Sequence, residues 1–286
     1  MLFRSWPFAN GQSQVASAHH VDDPQYEWAS SAIGESNLYH RKHWEWVYIL
    51  ATAKHFGVLR KDASALGFGV GSEPLVAAFA AAGMSITATD QPEAQAGAWA
   101  TTGQHSTSLE QLQRPTICDP DTLAERVNFK AVDMTELPAD LGEHSLVWSS
   151  CCFEHLGSAQ RGIDFVLNSM KFVAPGGIAI HTTEFDTTRT KPLLETGSLA
   201  AGDYACFYRR PELEGLISEL RQQGFAVDID WRVSKRHKHE RNIDRPPYSH
   251  QPHMRVAVED RVMTSIGLVI SRPIEAPTTT TSGYGK

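Results

Sequence analysis

Hydrophobic and polar positions follow two periods along this chain, and together they predict strands and helices in alternation. Short apolar runs bounded by glycine or acidic residues are typical of strands, and apolar positions three and four residues apart are typical of helices. The predicted strands are Ser64–Phe68, Ser85–Thr89, Val127–Val132, Ser145–Ser150, Ile178–Thr183, Phe225–Val233 and Val262–Ser271. Strands and helices that alternate in this way predict an α/β fold with a mostly parallel sheet and helices on both faces.

The helix boundaries follow from residues that favour helix ends. Pro74 lies in the first turn of a helix through residues 75–82, where its missing N–H costs little, and Ser72 is the candidate cap. Gly83 is expected to end that helix. Two further helices are predicted, one from Ser158 to Val173 and one from Pro211 to the glycine at 224. The Pro-Gly-Gly at 175–177 is expected to end the first of these and turn the chain into the fifth strand.

Composition divides the chain into four parts. Residues 1–23 are polar and lack periodicity, which predicts a mobile lead-in. Residues 24–60 carry apolar side chains at helical spacing and are predicted to form a helical cap on the main domain. That domain is assigned to residues 61–272, with 235–253 as a lid or acceptor loop. Residues 273–286 are rich in Thr, Pro and Gly and are predicted to be disordered.

Charge and composition exclude several classes of protein. A net charge of −7 over 286 residues argues against a general nucleic-acid binder. The longest apolar stretch, Leu75–Met84, is too short for a membrane span, and the first residues lack the apolar core of a secretory signal. Four cysteines in so long a chain do not make a disulfide framework. We therefore expect a cytoplasmic protein, and the sequence leaves a homo-oligomer open.

The strongest chemical signal is a glycine-rich turn between the first predicted strand and the helix after it. Gly67, Gly69 and Gly71 let the backbone turn tightly and approach a ligand without side-chain interference. Alone, the pattern fits a tight turn equally well. Two acids at successive strand ends add weight, because Asp90 can accept the hydroxyls of a ribose and Asp133 can meet an adenine amino group.

Five segments of the chain resemble class I S-adenosylmethionine (SAM)-dependent methyltransferases. The segments are ALGFGVGSE, ITATD, KAVDMTELP, LVWSSCCFEHLG and APGGIAIHTTEF, within residues 40–271. The last two are similar to a subgroup that is associated with sugar and glycan O-methylation. The resemblance implies a Rossmann-like sheet of seven strands with the last strand antiparallel.

The resemblance also implies the cofactor and the residues that bind its parts. The glycine loop would hold the methionine part of SAM, Asp90 the ribose, and Asp133 with the backbone of Met134 the adenine. The other predicted cofactor contacts are Glu73, Gln91 and Ser150.

One position departs from the family pattern. The family usually has an acid two residues before the first glycine, where it helps to hold the amino group of the methionine part, and this chain has Ala65 there. Glu73 is the candidate substitute. The departure also favours an alternative, a SAM-binding protein without catalysis. A nicotinamide dehydrogenase fits less well, because its fingerprint needs Gly or Ala where this chain has Ser72.

An alcohol acceptor needs a general base or a metal ion to become a nucleophile. His155 is the candidate base because imidazole titrates near neutral pH, and Glu154 lies beside it; alternatively, His155 orients a loop or caps a helix. Three acids form a candidate Mg²⁺ site, namely Glu154, Glu184 and Asp186. In the alternative interpretation, these acids form salt bridges with Arg189, Lys191 or Arg209.

Aromatic and polar residues near the N-terminal helix are predicted to shape a sugar-binding pocket, although Trp44 and Trp46 are better explained by core packing. The predicted contacts are Tyr39, His40, Arg41, His43 and Trp44. The sequence therefore predicts an O-methyltransferase acting on a hydroxyl of a sugar, oligosaccharide or glycan precursor. The alternative enzyme is an N- or O-methyltransferase acting on a small non-sugar metabolite.

Overall fold

Helices and strands alternate along the computed structural model, which describes residues 7–95, 103–188, 198–199, 203–204, 206–233, 236–249 and 251–274. The α-helices are α1 (Pro24–Ala32), α2 (Arg41–His55), α3 (Leu75–Ala81), α4 (Pro120–Arg126), α5 (Ala159–Ser169) and α6 (Arg210–Gln222). Short 3-10 helices cover Ala18–Asp22, Glu93–Gln95, Glu110–Leu112, Ala139–Leu141, Phe153–His155, Met170–Phe172 and Lys238–Arg241. The tail at 273–286 is predicted to be disordered, and its residues from 275 onward lie outside the described part.

The strands follow the same order in the chain as their labels. They are β1 (Ser13–Val15), β2 (Ser64–Phe68), β3 (Ser85–Asp90), β4 (Val127–Ala131), β5 (His144–Ser150), β6 (Val173–Asp186), β7 (Ser198–Leu199), β8 (Asp203–Tyr204), β9 (Ile229–Asp230), β10 (Val256–Val258) and β11 (Arg261–Ser271). Strands β7 and β8 pair only with each other among the described residues.

One large sheet carries the other strands, and its order places the candidate site. The order is β4-β3-β2-β5-β6-β11-β1-β9, with β10 paired to β11. Strands β2 to β6 run parallel, and β11 runs antiparallel to β6 from Met263 opposite Asp186 to Ser271 opposite Ile178. This is the Rossmann-like class I methyltransferase fold, as predicted. The strand order reverses between β2 and β5, where ligands of such sheets bind beyond the carboxyl ends of the strands.

The N-terminal segment belongs to the sheet, so the prediction of a mobile lead-in is wrong for residues 7–23. Strand β1 lies between β11 and β9, with Gln14 opposite Gly267. Ser13 Oγ accepts a 2.9 Å hydrogen bond from the backbone N–H of Val269, and Phe8 is fully buried. A run of three strand residues is too short to show a period, and this insertion raises the sheet above the predicted seven strands.

Two Asp-Pro pairs begin helices. Asp23 Oδ1 accepts the N–H of Gln25 at 2.8 Å ahead of α1, and Asp119 Oδ1 accepts the N–H of Thr122 at 2.9 Å ahead of α4. The proline in each pair takes the first helical position, which needs no N–H. The predicted cap of α3 is not formed, because Ser72 lies outside and the helix begins directly after Pro74 without a side-chain cap.

Two predicted strand boundaries also need correction. The Pro-Gly-Gly at 175–177 does not separate a helix from a strand, since β6 runs through it; the pairing with β5 shifts register between His144 and Leu146, which accommodates the irregularity. The strand predicted at Phe225–Val233 is confined to Ile229–Asp230. The stretch before it meets β11 at a single bridge, Ala226 opposite Ser271, and Arg221 binds the carbonyl of Val227 with two donors.

The predicted helical cap consists of α1 and α2, and α2 packs across β5, β6 and β11. Trp44 and Tyr48 are fully buried and stacked at 4.6 Å between ring centroids. Among the described residues, no helix is both long enough and apolar enough to cross a bilayer.

A buried carboxylate joins α2 to the three strands beneath it. Glu45 is fully buried and accepts hydrogen bonds from hydroxyl groups of three strands, Ser150 at 3.5 Å, Thr182 at 3.3 Å, and Ser265. It also pairs with Arg41 and Lys42 of its own helix, at 3.5 and 3.4 Å. A buried charge needs such a set of partners to be tolerated.

Candidate functional site

The carboxyl ends of β2, β3, β4 and β5 surround a cavity of about 350 Å³. Most residues of the predicted cofactor site line it: Gly69, Gly71, Glu73, Asp90, Gln91, Asp133, Met134 and Ser150. His155, the candidate base, lines the same cavity. The structure therefore brings together residues that are up to 86 positions apart in the sequence.

Two of the three glycines in the turn have a backbone conformation that only glycine adopts without strain. Gly69 and Gly71 have φ values of +57° and +49°. A Cβ on Gly71 would lie 2.5 Å from the carbonyl oxygen of Gln104, and one on Gly69 would lie 3.0 Å from Cys152 Sγ. Side chains at these positions would fill the cavity wall or strain the turn.

Gly67 has a different reason to be glycine, and it does not line the cavity. A Cβ there would lie within 2.6 Å of ring atoms of Trp148, which is fully buried on the neighbouring strand β5. Gly67 therefore has a packing role in the sheet, and its cofactor contact stays a prediction.

Asp90 connects three backbone segments around the cavity. Its Oδ2 accepts the N–H groups of Gly71 at 3.1 Å and Ser106 at 3.0 Å, and its Oδ1 accepts the N–H of Gln91 at 2.8 Å. Burial raises the pKa of Asp90, and these N–H groups oppose that increase. A carboxylate offers about four acceptor positions. A ribose hydroxyl can take the remaining position directly, whereas a second one must displace a backbone donor.

Asp133 and Met134 form the wall next to β4. Asp133 Oδ1 accepts both the N–H and the hydroxyl of Thr135, at 2.8 and 2.7 Å, which fixes the turn after the strand. Met134 and Leu156 supply apolar surface in the same cavity. An apolar surface beside a carboxylate suits a flat base that carries an amino group.

Several cavity residues were not predicted from the sequence. Lys42 and Trp46 reach the cavity from α2, four residues apart and so on one face of the helix. The spacing was visible in the sequence, but the face of α2 that meets the sheet edge depends on tertiary packing. The other unpredicted residues are Ser72, Gln104, His105, Cys151, Cys152 and Leu156.

His155 and Glu154 occupy different positions despite being adjacent. His155 lies on the cavity wall at the end of the 3-10 helix after β5. Glu154 is fully buried behind that wall, where its Oε2 accepts the hydroxyl of Thr183 at 3.0 Å. Burial raises the pKa of Glu154, and the nearby Glu184 adds to the increase. Glu154 thus does not meet an acceptor in the cavity, contrary to its predicted catalytic contact.

The structure does not support the predicted magnesium site. Glu184 forms an ion pair with Arg41 that lies largely out of solvent, and Asp186 lies 3.6 Å from Arg261. Across the described ranges, no group of three His, Cys, Asp or Glu side chains is arranged to hold a metal ion. Glu184 and Asp186 are paired with cations, as the alternative interpretation expected, but with different ones, whereas Glu154 accepts the hydroxyl of Thr183. Arg209 pairs with Glu212 instead, and Arg189 and Lys191 lie outside the described residues.

The residues predicted to shape a sugar pocket have other contacts. His43 is buried and bonded to Ser30 Oγ at 2.9 Å, and His40 stacks on His253 at 4.6 Å between ring centroids. Tyr39 lies against His237 and His239. None of the five predicted residues lines the cavity.

The predicted lid at 235–253 packs on the N-terminus of α2. The His253 N–H binds the carbonyl of Tyr39 at 2.6 Å, and the Arg41 N–H binds the carbonyl of His253 at 3.1 Å. As far as the segment is described, none of its residues lines the cavity.

No protein-family model matches this chain, and no curated protein matches it in sequence. Solved structures with similar coordinates include an O-methyltransferase family protein from Burkholderia thailandensis, at 12% identity and a TM-score of 0.45, covering 82% of this chain and 60% of that one. This chain therefore spans less than two thirds of the length of that protein.

Two other similar structures are those of methyltransferases. A SAM-dependent methyltransferase from Methanosarcina mazei has 15% identity and a TM-score of 0.48, covering 77% of this chain and 96% of that one. A magnesium protoporphyrin IX methyltransferase from Synechocystis PCC 6803, with bound SAH, has 13% identity and a TM-score of 0.45, covering 78% of this chain and 80% of that one. Because these identities and TM-scores are low, the class of fold is assigned from the strand order of the sheet.

Proposed function

We propose that this protein is a SAM-dependent methyltransferase that acts on a hydroxyl group. The observation that carries the proposal is the order of side chains along the sheet edge. Asp133 follows β4, Asp90 ends β3, the glycine turn follows β2, and Ser150 ends β5, all on one cavity. Neighbouring strands are about 4.8 Å apart, so these groups extend over roughly 14 Å. That order matches the order of the parts of SAM, which are adenine, ribose and the amino-acid end.

The residues present fit the cofactor. Asp90 retains an acceptor position for a ribose hydroxyl, and Asp133 with Met134 provides a polar edge and an apolar surface for the base. Gly69 and Gly71 leave room where side chains would enter the wall. When bound, SAM supplies an electrophilic methyl group, so the protein has to align the acceptor and remove its proton.

His155 is the proposed general base, because it is on the cavity wall next to the end of β5. A sugar hydroxyl is the proposed nucleophile. The resemblance of the segments at 146–157 and 174–185 to the sugar subgroup supports it.

Methyl transfer from labelled SAM to a panel of acceptors tests the proposal. The panel contains mono- and oligosaccharides, phenols and primary amines. We expect label on sugar hydroxyls, and turnover reduced about 100-fold or more in His155→Ala with cofactor affinity retained. The control is His55→Ala, which changes an exposed histidine at the C-terminal end of α2. Transfer to amines alone, or equal turnover in His155→Ala, would contradict the acceptor and base assignments. Tight cofactor binding without any transfer would favour the non-catalytic alternative.

A further inference from the structure

The glycine-loop end of the cavity contains polar atoms that lack partners. Glu73 Oε2 and the indole N–H of Trp46 are both buried, and neither makes a hydrogen bond of normal geometry among the described residues, although the side chains of Trp46 and Ser150 lie near enough to Glu73 to lower its pKa. Both side chains line the cavity. Buried polar atoms without partners are uncommon in folded proteins, so they point to a bound group that completes them.

The position at which the family resemblance implies an acid cannot contribute one here. Ala65 is fully buried in β2, between Ile86 of β3 and Leu146 of β5, and ends in a methyl group. Glu73 is the carboxylate that the same turn presents to the cavity, eight residues later. A cationic group bound near the turn therefore has Glu73 as its acidic partner.

A cation completes the same end of the cavity. Lys42 Nζ lies 3.4 Å from Glu45 Oε2, and Lys42 lines the same cavity as Glu73, where its charge lowers the pKa of Glu73. An ammonium group has three donors, so the ion pair with Glu45 leaves donors for an anionic group. The cavity thus presents one carboxylate and one ammonium, the complement of an amino-acid zwitterion.

We propose that Glu73 and Lys42 bind the amino-acid end of the cofactor, with Glu73 accepting its α-ammonium group and Lys42 donating to its α-carboxylate. The inference rests on the proposed function, because it concerns the same cofactor. Glu73 from the turn after β2 and Lys42 from α2 would then do what the resemblance assigns to an acid in β2, where this chain has Ala65. The helical cap is then part of the cofactor site and does more than cover the sheet.

The binding should depend on pH in a defined direction. Burial raises the pKa of Glu73 to about 7; Lys42, Trp46 and Ser150 oppose the increase, and Glu45 adds to it. An ammonium ligand binds the ionised carboxylate, so a proton competes with it below that pH. Affinity should increase as the pH is raised from 5.5 to 7.5 and then level off. Glu73→Gln keeps the two cavity histidines, His105 and His155. The difference between the pH profiles of the wild type and of Glu73→Gln therefore reports on Glu73.

The test is calorimetric titration of the full chain with S-adenosylhomocysteine and with methylthioadenosine, which lacks the amino-acid end. In Glu73→Gln and Lys42→Met we expect about 10- to 100-fold weaker binding of S-adenosylhomocysteine, the usual effect of losing a charge-assisted hydrogen bond. Binding of methylthioadenosine should stay within about twofold, since the adenosine contacts are untouched. The matched controls are Glu136→Gln and Lys238→Met, which change exposed residues outside the cavity.

The outcomes separate this inference from the proposed function. Equal loss of both ligands in the variants, or no loss of S-adenosylhomocysteine, would overturn the zwitterion assignment while leaving the cofactor in place. A wild-type protein that binds neither ligand would overturn the proposed function itself. A pH profile that persists unchanged in Glu73→Gln would also contradict the role of Glu73.

Discussion

Replacing Gly67 by alanine separates the packing role of this glycine from a cofactor contact. The added methyl group would lie within 2.6 Å of Trp148 ring atoms, where carbon atoms normally stay at least about 3.5 Å apart. Trp148 is fully buried and packs edge-on against Phe79 at 5.0 Å between ring centroids. The indole would have to move by about 1 Å in a close-packed core.

Such overpacking costs about 1–3 kcal/mol. We expect the free energy of unfolding of Gly67→Ala, measured in urea, to decrease by that amount. Gly215→Ala is the control, because a Cβ there meets nothing within 4 Å in the exposed face of α6. Since alanine favours a helix over glycine by about 1 kcal/mol, this control should be as stable as the wild type or more so.

A double-mutant cycle with Trp148→Phe identifies the cause. In the Trp148→Phe background the smaller ring leaves room, so Gly67→Ala should cost clearly less than in the wild type. An equal cost in both backgrounds would refute the packing argument. A stable Gly67→Ala protein that no longer binds S-adenosylhomocysteine would support the cofactor contact that the sequence predicts.

Two further predictions concern the packing of the N-terminal region. Glu45→Ala should lower the free energy of unfolding by about 3 kcal/mol, at the low end for a broken buried ion pair because Arg41 keeps Glu184. Glu45→Gln should cost less since it retains hydrogen bonds, and a loss below about 1 kcal/mol in Glu45→Ala would contradict the network. Phe8→Ala should cost about 3–5 kcal/mol, because Phe8 is fully buried against Tyr26 and Tyr48. A neutral effect in urea unfolding would mean that the segment before β1 does not pack as described.

Local sequence patterns were enough to predict the centre of the fold. Strand β2 was predicted with its observed bounds, and β3 differs by a single residue, because each apolar run ends in a glycine or an acid. Gly69, Gly71 and Asp90 line one cavity. The carboxyl ends of parallel strands meet at one sheet edge, so the order of the motifs in the chain carries over into space.

The parts that the sequence could not predict depend on long-range contacts. Arg41 meets Glu184 across 143 positions of the chain, and nothing local distinguishes that acid from a metal ligand. Lys42 reaches the cavity only because α2 crosses β5, β6 and β11. Glu154 and His155 are neighbours in sequence, but only the turn after β5 decides which of them faces the cavity.

The most direct test of the central claim is calorimetric titration of the wild-type protein with S-adenosylhomocysteine. A separate titration with NAD tests the rival dehydrogenase interpretation. The account predicts micromolar binding of S-adenosylhomocysteine and no detectable heat with NAD. Absence of binding at millimolar S-adenosylhomocysteine, by protein that still shows a cooperative unfolding transition, would contradict the assignment of this cavity to SAM.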